Sequence, residues 1–153
     1  ADIVITATGI ELNSLNDIEV MIDNIKINAH ERLTYKGMML SGVPNFALSF
    51  GYVNASWTLR ADLTCEYVCR LINLMDKKEV KCCAPIDDEG AYGDDDLIDF
   101  TSGYVQRGLH LMPKQGNKAP WKNYQNYIKD IFSVRLLSIK DSNLNFYVSK
   151  KDK

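Results

Sequence analysis

Two apolar, β-branched segments, each of which ends at a glycine, constrain the fold of this chain more than any other feature. Residues 3–8 read IVITAT and precede Gly9, and residues 46–52 read FALSFGY and include Gly51. Apolar runs without polar alternation are typical of strands that are buried on both faces, as in a parallel sheet. We therefore predict an α/β fold that contains two parallel strands.

A β-hairpin and a long helix are predicted around the second strand. In residues 18–28 the apolar positions alternate on either side of Asp23-Asn24, which indicates a hairpin with one solvent-exposed face. A helix is predicted to begin after Asn54 or Ser56, either of which can cap it, and to end near Lys77. Its apolar positions recur at helical spacing: Leu63, Tyr67, Val68, Leu71, Ile72, Leu74 and Met75.

The second half of the chain has weaker patterns, and we divide the sequence into residues 1–77, 78–103 and 104–153. The middle part is polar and acidic, so we expect a linker or surface loop. Its acidic runs lack the spacing of an EF-hand, which favours a solvated loop over a calcium site. The last part is expected to be an irregular extension with a short helix from about Asn123 and a closing hairpin within residues 132–148.

Composition argues against several classes of protein. The formal net charge is −2, and the 18 basic residues form no dominant cluster, so we expect no nucleic-acid partner. The lysines at positions 150, 151 and 153 are predicted to be a solvated tail. No run reaches the roughly 18 apolar residues of a membrane span, so we expect no transmembrane segment.

The cysteines and histidines do not indicate a metal site. Cys65 and Cys69 fall within the helical pattern and are predicted to be buried, whereas Cys82 and Cys83 fall in the polar middle part. Neither histidine stands at a zinc-ligand spacing from them. Thiols without an evident pairing pattern predict a reduced, cytoplasmic protein.

The junction between the second strand and the helix is the main signal for a bound cofactor. A helix start offers unpaired N–H groups and partial positive charge, which suit a phosphate or an electron-rich flavin oxygen. Such a junction also occurs in any α/β domain, so by itself it does not fix a function. The sequence contains no G-x-G-x-x-G loop, no P-loop and no evident nucleophile–base pair.

Several longer segments resemble the flavin-containing and Baeyer–Villiger monooxygenases, most closely the ethionamide-activating branch. Residues 2–9, DIVITATG, are similar to the A-T-G segment of that family, and residues 35–46 are similar to the segment before its last FAD-domain strand. Residues 51–63, GYVNASWTLRADL, resemble the passage from that strand into a helix. Residues 103–107, 113–116, 120–121 and 125–127 are similar to the C-terminal segment of the same branch.

The resemblance implies a partial FAD-binding, Rossmann-like domain in residues 1–77 and a C-terminal extension in residues 104–153. It implies that the flavin lies against the ends of the two strands and the start of the helix. The residues that it assigns to cofactor binding are Thr8, Gly9, Gly51, Asn54, Ala55, Ser56, Trp57 and Thr58. It assigns no catalytic residue within this chain.

For the parent protein, the resemblance implies an NADPH- and FAD-dependent monooxygenase. Such an enzyme oxygenates a ketone, or a sulfur or nitrogen compound, through a C4a-peroxyflavin. The family's two dinucleotide-binding loops are missing from this sequence, and the chain begins without Met inside an apolar run. We therefore expect a C-terminal fragment that is inactive alone. The alternative is a non-catalytic structural or interaction module that self-associates into a homo-oligomer through its unpaired strands.

Overall fold

The computed structural model describes residues 1–10, 12, 15, 18–87 and 95–148, and combines three helices with short antiparallel strands. The acidic run at 88–94 and the lysine tail at 149–153 lie outside the described residues. In chain order the elements are β1 Val20–Ile22, β2 Ile25–Ile27, β3 Thr34–Tyr35, β4 Met39–Leu40, α1 Trp57–Lys77, β5 Cys82–Pro85, β6 Asp95–Asp96, α2 Gly103–Gly108, β7 Lys114–Gln115, α3 Tyr127–Ile131, a π-helical turn Phe132–Leu136 and β8 Leu144–Tyr147.

The predicted hairpin is confirmed. Strands β1 and β2 pair in antiparallel register, with Val20 opposite Ile27. Asp23 and Asn24 connect them with φ values of 50° and 64°. Positive φ at both central residues is the geometry that matches the twist of a two-residue hairpin, and Asp and Asn tolerate it well.

The predicted long helix is also confirmed, and it forms one side of the main core. Helix α1 begins after Ser56 and ends at Lys77. The main core combines α1 with the β3–β4 pair, the β5–β8 pair and the C-terminal part; its buried residues are Tyr35, Met38, Met39, Leu63, Tyr67, Leu71, Cys83, Trp121, Val134, Ile139 and Leu144. Trp121 is 1% exposed and meets Tyr35 edge-to-face at a ring-centroid distance of 5.6 Å.

Neither predicted parallel strand forms in this structure, and all strand pairs among the described elements are antiparallel. Residues 1–10 are exposed and without regular structure, with Ile3 and Ile5 at 80% and 88% exposure. Residues 46–52 are likewise irregular. A strand buried on both faces requires hydrogen-bonding neighbours at its edges. Among the described residues neither run forms a strand ladder, although the Leu48 amide donates to the Met38 carbonyl oxygen at 2.8 Å. The mixed α and β composition is as expected, but the parallel arrangement is not observed here.

The predicted closing hairpin is wrong. Strand β8 pairs with β5, so that Cys82 stands opposite Tyr147 and Pro85 opposite Leu144. Residues 132–136 instead form the π-helical turn, where the Arg70 guanidinium donates to the carbonyl oxygens of Val134 and Leu137. Part of the predicted linker is therefore a strand that contributes Cys83 to the main core.

The C-terminal helix begins later than predicted. Gln125 has φ 50°, a left-handed conformation that a right-handed helix does not continue through. Helix α3 starts at Tyr127, and the side chain of Asn126 caps it by accepting a hydrogen bond from the Lys129 amide at 3.1 Å. No helix among the described residues is long and apolar enough to cross a membrane.

The prediction that Cys65 and Cys69 are buried is wrong. Both lie on the exposed face of α1, whereas Cys83 is 1% exposed, and burial raises its pKa to about 11. A helix of this amphipathic pattern buries one stripe only, and the cysteines fall outside the stripe of Leu63 and Tyr67.

Thiol labelling at pH 8 tests this arrangement. Because the thiolate is the reactive species, Cys65 and Cys69 are expected to react with iodoacetamide well before Cys83. Peptide mass spectrometry after timed quenching reports the order, and labelling in urea gives the reference in which the four sites become equivalent. Early modification of Cys83 in the folded chain would contradict the burial of β5.

Candidate functional site

The start of α1 is the centre of the predicted cofactor site, and it is open to solvent. Ser56 is the N-cap, but its hydroxyl lies 2.7 Å from that of Thr58 and makes no cap to the backbone. The first turn carries no acidic residue. The partial positive charge of the helix start is therefore not neutralised by its own side chains, which leaves its N–H groups available to an electron-rich group.

Gly51 lies directly beneath the indole of Trp57. A Cβ placed on Gly51 would stand 2.2 Å from Cδ2 of the indole, which is far inside van der Waals contact. The Trp57 ring also packs at 5.2 Å, centroid to centroid, from Phe50, yet 55% of the side chain stays exposed. The glycine is thus required by the close approach of an aromatic ring that comes from this chain itself.

Gln125 fixes the segment between Gly51 and the helix. Its side-chain oxygen accepts a hydrogen bond from the Val53 amide at 3.0 Å, and its backbone carbonyl accepts one from Nδ2 of Asn54 at 3.1 Å. Asn54 therefore keeps its own side-chain oxygen for other partners. These two bonds were not predictable from local patterns, because the two segments are far apart along the chain.

Thr8 and Gly9 are exposed and do not line a described cavity together with the helix start. Gly9 has φ 85° and lies beside Arg107, whose Nη2 would be 3.6 Å from a Cβ at that position. Arg107 belongs to α2, and other residues of α2 lie across from the start of α1. We expected the segments around Gly9 and Gly51 to lie side by side. In the structure they are not in direct contact, and α2 lies between them.

An aromatic cleft of about 440 Å³ lies in front of the α1 start. Its lining residues are Leu12, Ser49, Phe50, Tyr52, Val53, Ala55, Trp57, Ile98, Phe100, Tyr104, Val105 and Met112. Ala55 and Trp57 are the two predicted site residues among them. None of these residues is charged, and several present aromatic rings, so the cleft suits a flat, largely apolar ring system. It offers no cation and no glycine-rich loop for a diphosphate.

A buried ion pair holds this cleft in place. Nη1 of Arg60 lies 2.5 Å from Oδ2 of Asp130, and the same carboxylate oxygen accepts a hydrogen bond from the Tyr52 hydroxyl at 2.6 Å. The Arg60 guanidinium also donates to the backbone oxygen of Lys36. Desolvation, together with the bond to Asp130, raises the pKa of Tyr52, so its hydroxyl remains a donor. The cluster joins α1, α3 and the backbone after Gly51.

Sequence reasoning missed this cluster, although a signal for it exists. Arg60 stands three and seven residues before Leu63 and Tyr67, so it shares their buried face of α1. A charged residue on an otherwise apolar helix face predicts a buried partner of opposite charge. The partner itself, Asp130, was not predictable from spacing.

Three groups of relatives are similar to the chain over nearly its whole length. It is 44% identical over 146 residues, or 95% of the chain, to the FAD-containing monooxygenase EthA of Mycobacterium tuberculosis. It is 41% identical over 147 residues to the probable FAD-binding monooxygenase AlmA of Acinetobacter baylyi. It is 37% identical over 153 residues to the putative FAD-containing monooxygenase MymA of M. tuberculosis.

The chain belongs with the FAD-containing monooxygenases, as a segment of such a sequence. The resemblance seen in the sequence is therefore confirmed. The chain spans only 30% of the length of EthA and AlmA and 31% of that of MymA. No family model matches the chain, and no solved structure matches it. Within the described part of this monooxygenase segment, no group of three or more metal-ligating side chains comes together.

Substitution of Asp130 by Asn tests the ion pair. The change leaves the Arg60 guanidinium buried without a counter-charge, so we expect the free energy of unfolding to fall by about 3–5 kcal/mol. Urea unfolding followed by circular dichroism measures it. The matched control is Asp62→Asn, which removes an exposed partner of Arg135 at 3.4 Å and should lower the stability by less than about 1 kcal/mol. Equal effects of the two substitutions would contradict the central role of the buried pair.

Proposed function

We propose that the protein containing this chain is an NADPH- and FAD-dependent monooxygenase, and that the chain supplies one wall of its flavin pocket. The observation that carries this proposal is the 44% identity to a FAD-containing monooxygenase across 95% of the chain. At such identity, segments of this length share a fold and the general positions of their functional sites.

The aromatic cleft supports a role at the flavin ring and not at the rest of the cofactor. Its uncharged, aromatic lining fits an isoalloxazine ring, while the FAD pyrophosphate needs a cationic or glycine-rich cradle, which the lining of this cleft does not provide. We therefore assign the ring to this segment and the phosphates to polypeptide outside it.

In this proposal the helix start interacts with the pyrimidine edge of the ring. Ala55, Ser56 and Trp57 bring the N–H groups of α1 to that edge, and Asn54 adds its side-chain oxygen. Thr58 follows in the first turn, and Gly51 allows the backbone to pass close to the ring. Thr8 and Gly9 would stand at the end of the strand that we propose below for residues 3–8. Bound and reduced FAD supplies the activation of O₂, and the aligned N–H dipoles stabilise the negative charge on the ring.

We further propose that residues 3–8 and 46–52 become parallel strands of a Rossmann-like FAD domain in the full-length protein. Their apolar sequence suits strands covered on both faces, and in the structure the first run remains highly exposed. The substrate is then a ketone or a compound with a soft sulfur or nitrogen atom.

Expression of the full-length protein tests the proposal. We expect yellow protein with about one FAD per chain, and NADPH oxidation that rises when a ketone or a sulfide is added. Product analysis by mass spectrometry should show the addition of one oxygen atom. A folded full-length protein that neither retains nor binds FAD would refute the proposal.

A charge at the helix start gives a sharper prediction. Ser56→Asp keeps a good N-cap, so the stability of α1 should change by less than about 0.5 kcal/mol. The added carboxylate repels the electron-rich edge of the flavin, and we expect FAD affinity to fall about tenfold. The neutral control Ser56→Asn should retain both stability and affinity. Equal FAD affinity in the two variants would contradict the placement of the flavin at the α1 start.

A second candidate function follows from the exposed N-terminal run. Ile3, Val4 and Ile5 are 77–88% exposed, and such a surface favours pairing with another chain. The chain would then be a non-catalytic module that self-associates. Light scattering after size-exclusion chromatography separates the two candidates, because only this second function gives a stable, colourless homodimer of the 153-residue chain.

A further inference from the structure

A second cavity of about 600 Å³, which we call the lysine cavity, shares no lining residue with the aromatic cleft. It is formed by residues 119–124, helix α3, the π-helical turn and Lys36 at its inner end. Its volume is within the range of sites that bind small molecules, roughly 300–1,000 Å³. The flavin pocket proposed above makes no use of it.

One side of the lysine cavity is apolar and open to water. Ile128, Phe132 and Leu137 line it and are 67%, 56% and 57% exposed. Large aliphatic and aromatic side chains that share one exposed patch beside a cavity are characteristic of a binding surface. A hydrocarbon ligand that covers these side chains would remove apolar surface from water, which favours its binding.

The inner end of the cavity is cationic. Nζ of Lys36 donates a hydrogen bond to Oγ of Ser133 at 3.0 Å and lies 5.5 Å and 5.9 Å from the ring centroids of Tyr35 and Tyr67. Burial is the main cause that lowers the pKa of this lysine. Its ammonium is therefore poorly solvated, and its attraction for a bound anion is stronger there than it would be in water.

The ammonium of Lys36 has no carboxylate in direct contact among the described residues. Of the other cations that line the cavity, Arg60 pairs with Asp130 at 2.5 Å and Lys122 with Asp95 at 3.3 Å. Lys129 is exposed, and its Nζ lies 4.3 Å from the ring centroid of Tyr124. Asp141 also lines the cavity and accepts a hydrogen bond from the Tyr35 hydroxyl. Its negative charge acts on Lys36 without direct contact and raises the pKa of the lysine, against the larger effect of burial. Among the residues that the structure describes, none places a carboxylate within ion-pair distance of Lys36.

We propose that the lysine cavity binds a medium-chain aliphatic carboxylate, with its headgroup at Lys36 and Ser133 and its chain along Ile128, Phe132 and Leu137. Lys129 is exposed and lies against the Tyr124 ring, so Lys36 is the lysine at the poorly solvated end of the cavity. A single negative charge balances its ammonium, whereas a phosphate dianion would leave excess charge there. The Ser133 hydroxyl offers a second donor to the carboxylate. This proposal does not depend on flavin binding.

Calorimetric titration of the full-length protein with three probes tests it. Decanoate carries both charge and chain, decanol carries the chain alone, and acetate carries the charge alone. We expect saturable binding of one decanoate per chain and binding at least about tenfold weaker for the other two. Decanoate that shows no saturable binding, or that binds no better than decanol, would overturn the proposal.

Variants locate the binding in this cavity and not elsewhere in the protein. Lys36→Met removes the ammonium at similar size and should weaken decanoate about tenfold or more, while leaving decanol unchanged. The control Lys77→Met changes an exposed lysine at the end of α1 and should have no effect. Unchanged decanoate affinity in Lys36→Met would place the ligand elsewhere and overturn the proposal.

A pair of substitutions at an exposed position keeps the test valid even if Lys36→Met fails to fold. Ile128 is 67% exposed, so charged residues there do not disturb the core. Ile128→Glu should weaken decanoate more than Ile128→Lys does, because only the glutamate repels a carboxylate in the same cavity. An equal effect of the two changes would show that charge does not select the ligand here, and the proposal would fail.

Discussion

The buried pair of Arg60 and Asp130 is the interaction on which the rest of this structure depends. It joins the first turns of α1 to α3, and through the Tyr52 hydroxyl it also holds the irregular backbone that follows Gly51. Both cavities are built around it, since Tyr52 lines the aromatic cleft and the two charged residues line the lysine cavity. An isolated buried charge is very unfavourable, so the pair also restricts how α1 and α3 can be placed.

The parts of the fold that follow from local sequence were predictable. Asp23 and Asn24 encode a turn with two positive φ values, and the apolar stripe of α1 encodes its length and its buried face. The parts that depend on distant partners were not predictable. The pairing of Cys82 with Tyr147 joins two strands whose local patterns gave no register. Residues 3–8 have the composition of a buried strand, but composition does not supply the neighbours that a strand needs.

The candidate site was likewise predictable only where local sequence determines it. The helix start was predictable because a cap residue and an apolar stripe mark it, and Ala55 and Trp57 do line the cleft. The contributions of Gln125 and α2 were not predictable, since each arises from chain segments that meet only after folding. The similarity to FAD-containing monooxygenases supplied what local patterns could not, namely the ground for proposing a flavin at this site.

The indole of Trp57 over Gly51 has a consequence for how a planar ligand enters. A ring that stacks on the Gly51 backbone and the Trp57 indole cannot occupy the same space, so one must leave before the other arrives. Stacking of a ligand on Gly51 therefore requires molecules in which the tryptophan has rotated outward. The apparent affinity is the intrinsic affinity reduced by the fraction of such molecules. Because 55% of its surface is already in water, Trp57 loses chiefly its packing on Phe50 and Gly51 when it rotates outward.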